Sequence, residues 1–145
     1  MSDFTYEMAV TINPADGAYQ DGDAVGGLLD FGAILTTGTI LRSLALTDQG
    51  NQGSAVDLWL FDAAPATVAD EATFAPSYAD LKKLVAKVAI AGADYSTENS
   101  MKWVRKQDLN QPVPGSHLYG YLVTNGSTPT YGADKLIYIR LFLEE

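Results

Sequence analysis

Between residues 39 and 62, two alternating runs are separated by seven polar or glycine residues, and that arrangement leaves the chain few architectures to adopt. In the first run, 39–47, Ile40, Leu44 and Leu46 fall on one face, with Arg42 interrupting them. In the second, 55–62, Val56, Leu58 and Leu60 share one face, while Asp57, Trp59 and Phe61 share the other. A period of two in β-branched and aromatic residues specifies strands, because successive side chains of extended backbone point to opposite sides. The intervening Asp48-Gln-Gly-Asn-Gln-Gly53 carries turn or short-loop chemistry. Such a strand pair presents an apolar face that a second sheet has to cover, so a β-sandwich or barrel is expected.

The same period recurs along the chain. Phe4, Tyr6, Met8, Val10 and Ile12 alternate with Thr5, Glu7, Ala9 and Thr11, a half-buried first strand closed by Asn13-Pro14 and an Asp16-Gly17 turn. A second strand is expected from about Asp23, and its paired Gly26 and Gly27 indicate a bulge or a close approach by another backbone. Residues 63–77 hold Pro65 and Pro76 among small residues and read as a long excursion. Ser77-Tyr-Ala-Asp80 has the capping-box pattern, with Tyr78, Leu81 and Val85 at helical spacing, so a short helix follows. Residues 87–91 return to strand, with Val88 and Ile90 on one face. From 100 to 109, Met101, Trp103 and Arg105 stand opposite Lys102, Val104 and Lys106, which suits an exposed or edge strand guarded by charge. Residues 117–124 form a further strand, and Asn125-Gly126 opens a loop. Residues 135–143 carry apolar groups on both faces, as a central strand does when it is buried on both sides or covered by a partner. The sum is an all-β, single-domain, jelly-roll-like sandwich over residues 1–145, with about eight antiparallel strands and one short helix.

Composition narrows the function. At 145 residues, 47% hydrophobic and 19% charged, the chain is one folded domain's worth. No cysteine is present, which removes disulfides, thiolate nucleophiles and zinc–sulfur sites. No basic-then-apolar segment opens the sequence, and no apolar run approaches the ~20 residues of a membrane helix, so neither a signal peptide nor a membrane partner is expected. A net charge of −9 with dispersed lysine and arginine opposes nucleic acid, whose binding needs a basic footprint.

Candidate chemistry is sparse. His117 is the only histidine, at a strand entrance beside Pro114-Gly115. Triads need an imidazole and cupin-type metal sites need several, so a structural or solvent-facing role is expected for it. Asp21-Gly22-Asp23 pairs two carboxylates, but the further ligands of a calcium loop do not follow, and turn chemistry accounts for them better. Gly22, Gly26 and Gly27 make neither a dinucleotide fingerprint nor a phosphate loop. Trp59, Trp103 and the eight tyrosines offer either a sugar-stacking platform or ordinary core and interface residues. No catalytic residue, cofactor or metal ligand is expected.

A series of motifs then stands in a telling order. It runs Tyr19-Gln-Asp-Gly-Asp-Ala-Val-Gly-Gly-Leu-Leu29, Leu44-Ala-Leu-Thr-Asp48 and Asp57-Leu-Trp-Leu-Phe-Asp-Ala63. It continues with Ala91-Gly-Ala-Asp-Tyr95, Leu118-Tyr-Gly-Tyr-Leu-Val-Thr124, the Thr128-Pro-Thr-Tyr131 loop and a closing strand over 136–141. From about residue 19 to residue 141 the chain resembles the jelly-roll cement (decoration) proteins that sit as dimers on the outside of tailed-phage heads. The resemblance implies a non-enzymatic homodimer that binds the major capsid protein and stabilises the shell, assembled in bacterial cytoplasm and located on the virion surface. It transfers no site residue. Self-association is expected through a strand edge or sheet face, in residues 4–12 or the C-terminal strand. Phe4, Tyr6, Met8, Trp103 and Tyr131 are the expected interface residues. The alternative function is a glycan-binding module of a tail or head fibre, stacking sugars on Trp59 and Trp103.

Overall fold

In a computed structural model, which describes residues 5–35, 38–132 and 134–145, most of the chain is strand. The order is β1 (Thr5–Ile12), β2 (Ala24–Ala33), β3 (Ile40–Asp48), β4 (Val56–Phe61), α1 (Tyr78–Leu81) and β5 (Leu84–Ile90). Then come β6 (Ser96–Glu98), β7 (Met101–Lys106), β8 (Gln111–Pro112), β9 (His117–Thr124) and β10 (Ile137–Glu144). A six-stranded antiparallel sheet runs β1-β10-β3-β7-β6 with β8 beside β3, and a four-stranded sheet runs β2-β9-β4-β5. Setting aside the short β6 and β8, eight strands remain. The first, eighth, third and sixth make one sheet, and the second, seventh, fourth and fifth make the other. That interleaving is the double Greek key of a jelly roll.

The runs at 39–47 and 55–62 are strands, but they are not neighbours in one sheet. β3 pairs with β10 and β7, whereas β4 pairs with β9 and β5. The polar segment between them crosses from one sheet to the other, and both strands turn their leucines into the shared core. Asp48 fixes the crossing, its Oδ2 accepting the N–H groups of Gln52 at 2.9 Å and Gly53 at 3.0 Å. Arg42 marks a second departure. The register shifts so that Leu143 faces Leu41 while Phe142 faces Ser43, leaving Arg42 as a bulge. The slip turns Leu41, rather than Ile40, into the core beside Leu44 and Leu46.

Asp48 is 1% exposed and its Oδ1 has no hydrogen-bond partner. Burial pushes its pKa up, against the pull of the loop amides of residues 50–53. A carboxyl raised in the folded state favours folding while protonated. Its contribution is therefore full below the unfolded value and is lost as pH rises through the folded one. Asp48→Asn keeps an acceptor for the loop amides and cannot ionise. Relative to wild type, this variant is expected to gain stability as pH rises from the carboxylate range to neutrality, measured by urea melts across pH. A constant difference between the two would contradict the assignment.

Residues 63–77 are an excursion, but one that packs rather than projects. Phe74 and Val68 cover an apolar cluster of Ala24, Phe61, Tyr121 and Val123 on the outer side of the four-stranded sheet. The Tyr121 hydroxyl donates to the Ala66 carbonyl at 3.1 Å and accepts the Val68 N–H at 2.8 Å. The Ser77–Asp80 capping box forms as expected, and the Asp80 carboxylate also accepts the Ala66 N–H at 2.9 Å. Tyr121→Phe is expected to cost about 1–3 kcal/mol by leaving a covered Val68 N–H without its acceptor. Amide exchange at Ala66–Val68 is expected to speed up ahead of the core strands.

The glycine pair in β2 is a bulge. The register with β9 shifts between Val25 and Leu29, Gly26 has φ of +79°, and a Cβ there would lie 2.7 Å from Ile12 Cγ2. The close approach is by a side chain of the opposite sheet rather than by backbone. β7 is not itself the sheet edge, since the three-residue β6 pairs along Met101–Trp103. β10 is central, as expected, with Ile137, Ile139, Leu141 and Leu143 buried. Its other side, however, is only partly covered. No helix among the described residues is long and apolar enough to cross a membrane.

Candidate interaction surface

The two sheets differ in what their outer faces meet. Residues 63–77 roof the four-stranded sheet, while among the described residues no segment roofs the outer face of β1, β10, β3 and β7. Register sets the outward side chains of these four strands in rows. One row is Thr11, Tyr138, Thr47 and Trp103, and the next is Ala9, Arg140, Ala45 and Arg105. A third begins Glu7, Phe142 and Ser43. Trp103 and Tyr138 are each 40% exposed.

All three arginines of the chain, Arg42, Arg105 and Arg140, lie on this face. Phe142 is held between two of them, with the Arg105 guanidinium carbon 4.4 Å and that of Arg140 4.9 Å from its ring centre. A planar guanidinium stacks on an aromatic face in a way an ammonium does not. Arg140 pairs with Glu7. Arg42 pairs with Glu144 at 2.8 Å, which holds the Glu144 carboxyl below the ordinary range. Arg105 donates to Ser43 Oγ at 3.2 Å, and among the described residues no carboxylate reaches it. Beside it a cleft of about 220 Å³ opens between Arg42, Ser43, Arg105, Gln107, Asp108 and Asn110. Outward carboxylates of the sheet are Glu7, Glu98 and Glu144, three against three arginines, in a chain whose net charge is −9.

Of the expected interface residues, Trp103 stands on this open face. Tyr6 points toward the interior, its hydroxyl 3.5 Å from Thr39 Oγ1. Met8 and Tyr131 are 7% and 5% exposed, so the chain itself covers them and a docking partner does not reach them. Met8 follows the inward alternation of β1, and Tyr131 lies edge-on to Tyr19 with ring centres 6.0 Å apart. Phe4 lies outside the described residues. Sequence reasoning missed Tyr138, Arg140, Phe142 and Arg105. The signal that identifies the first three is the second apolar face of the closing strand.

The remaining candidates resolve locally. Trp59 packs against Phe74 with ring centres 5.1 Å apart, under the Lys87 ammonium, on the other sheet from Trp103. The two tryptophans therefore make no joint stacking platform. Asp23 Oδ2 accepts the Gln20 N–H at 2.8 Å, which is turn chemistry, and Asp21 Oδ1 accepts the Gly126 N–H at 2.6 Å, tying this turn to the loop after β9. His117 pairs at 2.5 Å with Asp30, itself well exposed, and stacks on Tyr119. Among the described residues no group of three histidines or carboxylates is placed to hold a metal. A cleft of about 560 Å³ lies between the sheets at Thr39, Leu84, Val85, Pro112 and Val113, with no charged side chain in its lining.

No family model matches the chain, and a comparison with curated proteins finds no match. Among solved structures the chain is similar to one from the empty head of turnip yellow mosaic virus. The identity is 13% and the TM-score 0.30, over 100% of this chain and 82% of that one. It is also similar to a chain of turnip yellow mosaic virus itself, at 12% identity and a TM-score of 0.29, over 99% and 93%. Superpositions this loose bear on neither family nor function.

Proposed function

We propose that this is a non-enzymatic structural protein of a virion, a cement (decoration) protein that binds the major capsid protein on the outside of a tailed-phage head. On this reading it braces the shell as a homodimer, is assembled in bacterial cytoplasm, and engages neither nucleic acid nor membrane. The observation that carries the homodimer in this reading is the open face of the six-stranded sheet, which leaves the rest of the dimer's surface to meet the head. Trp103, Tyr138, Phe142 and the three arginines lie across a broad, rigid surface rather than converging in a cavity. Tryptophan, tyrosine and arginine are the residues enriched where proteins dock, whereas catalysis gathers polar groups in a concave site. The motifs behind the family resemblance fall mainly on the frame, with 57–63 on β4, 118–124 on β9 and 136–141 on β10.

Adding the purified protein to heads assembled without it tests the proposal. Saturable binding in a simple ratio to shell subunits, with shells that rupture at a higher temperature, is expected. Heads that bind none of it would overturn the reading. A glycan-binding role retains one observation, the exposed Trp103 and Tyr138 in a single row. Saccharide binding abolished by Trp103→Ala would favour it instead.

A further inference from the structure

We infer that two copies of this chain pair face to face through the outer side of the six-stranded sheet, about a two-fold axis parallel to the strands between β10 and β3. The inference deepens the proposal above by naming the joining face, and it rests on the homodimer part of that reading. Across β1, β10, β3 and β7 the outward side chains of two adjacent rows run small, large, small, large. They are Thr11, Tyr138, Thr47 and Trp103 in one row, then Ala9, Arg140, Ala45 and Arg105 in the next. Strands lie about 4.8 Å apart, so β10 and β7 form two ridges about 10 Å apart, with grooves along β1 and β3.

The axis named above lays β1 on β7 and β10 on β3. It sets Trp103 over Thr11, Tyr138 over Thr47, Arg140 over Ala45 and Arg105 over Ala9, and symmetry makes each contact twice. An axis across the strands would instead set ridge on ridge, β10 on β10. Sheets packed with nearly aligned strands are a standard arrangement, so no distortion is needed.

Charge selects the same face. Two molecules of net charge −9 repel over most of their surfaces, but here three arginines stand against the three glutamates of the strands and Asp108 at the rim, so the face is far less acidic than the rest. Arg105, which no carboxylate among the described residues reaches, gains one. With β1 over β7, Glu7 of the second copy comes over the cleft between Arg42 and Arg105. Four strands of about eight residues give a flat footprint on the order of 500 Å² per copy. Side-chain relief raises the area toward the ~800 Å² per partner of a stable interface. The other sheet cannot pair in this way, because residues 63–77 already cover it.

Sedimentation velocity at micromolar concentration tests the pairing. The wild type is expected to be a dimer. Ala9 is exposed on the outermost long strand, so Ala9→Arg leaves the core intact while setting arginine against Arg105 of the second copy twice. Its dissociation constant is expected to rise at least about tenfold, with the far-UV circular dichroism of the folded chain unchanged. The double variant Ala9→Arg, Arg105→Glu is expected to recover most of the affinity, which a merely damaged fold would not. A wild-type dimer indifferent to Ala9→Arg overturns this face while sparing the homodimer. A weakened single variant that the double does not rescue overturns the register. A monomeric wild type overturns both the pairing and the homodimer, leaving binding to heads as a separate result.

Discussion

Gly120→Ala is expected to cost about 1–3 kcal/mol, and Gly120→Val to leave little folded protein at ordinary temperature. Gly120 sits in the middle of β9, paired with Leu29 of β2 on one side and Leu60 of β4 on the other. A Cβ there would lie 2.9 Å from the Trp59 carbonyl oxygen and 3.0 Å from the Phe31 ring. The ring could turn aside, but the carbonyl belongs to the backbone of the neighbouring strand. Moving it strains the β4–β9 ladder at the centre of the four-stranded sheet. Chemical denaturation measures the loss as a lower midpoint at constant slope. A midpoint unchanged from wild type would show that the sheet gives way without strain.

Leu141→Ala is the second large effect, expected at about 2–5 kcal/mol. Leu141 is fully buried in the central strand of the six-stranded sheet, level with Met8 on one side and Leu44 on the other. Three carbons are lost, and the cavity penalty adds to the transfer penalty to the extent that Met8 beside it does not repack. On the opposite side of the same strand, Phe142→Ala removes a ring that only two arginines stack on. That change is expected to cost about 1 kcal/mol in the isolated chain. The contrast separates the two faces of one strand. The inner face sets stability, and the outer face is free to serve contact. Equal losses at the two positions would mean that the outer face is as much a part of the core as the inner one.

Strand existence was legible in the sequence because an alternation of two is local, and β1, β9 and β10 lie close to where the pattern places them, while β5 begins three residues earlier and takes in Val85, which the spacing had assigned to the helix. The capping box at Ser77–Asp80 was legible for the same reason. Pairing was not. The adjacent alternating runs of β3 and β4 read as a pair, yet each is hydrogen-bonded to strands tens of residues away, which alternation does not encode. The Arg42 bulge was half legible, visible as a break in the pattern but not as the slip that turns Leu41 inward.

The roof over the four-stranded sheet was hidden, because residues 63–77 are mostly small and carry no period. Its clue was Phe61, a large apolar residue on the face that should have met water. At the interaction surface, Trp103 was found by its type, while Met8 and Tyr131 were assigned outward by type against their burial. Tyr138 and Phe142 were present in the pattern of β10 as its second apolar face, and only the sheet order and burial show that the described residues leave it partly open.

The number of copies of this protein in purified particles from its source, counted by quantitative mass spectrometry against the major shell protein, tests the structural role most directly. A cement protein is present on the order of hundreds of copies, in a simple ratio fixed by shell symmetry, and that is the expected result. Absence from the particle, or a complement of a few copies as in a tail component, would contradict it.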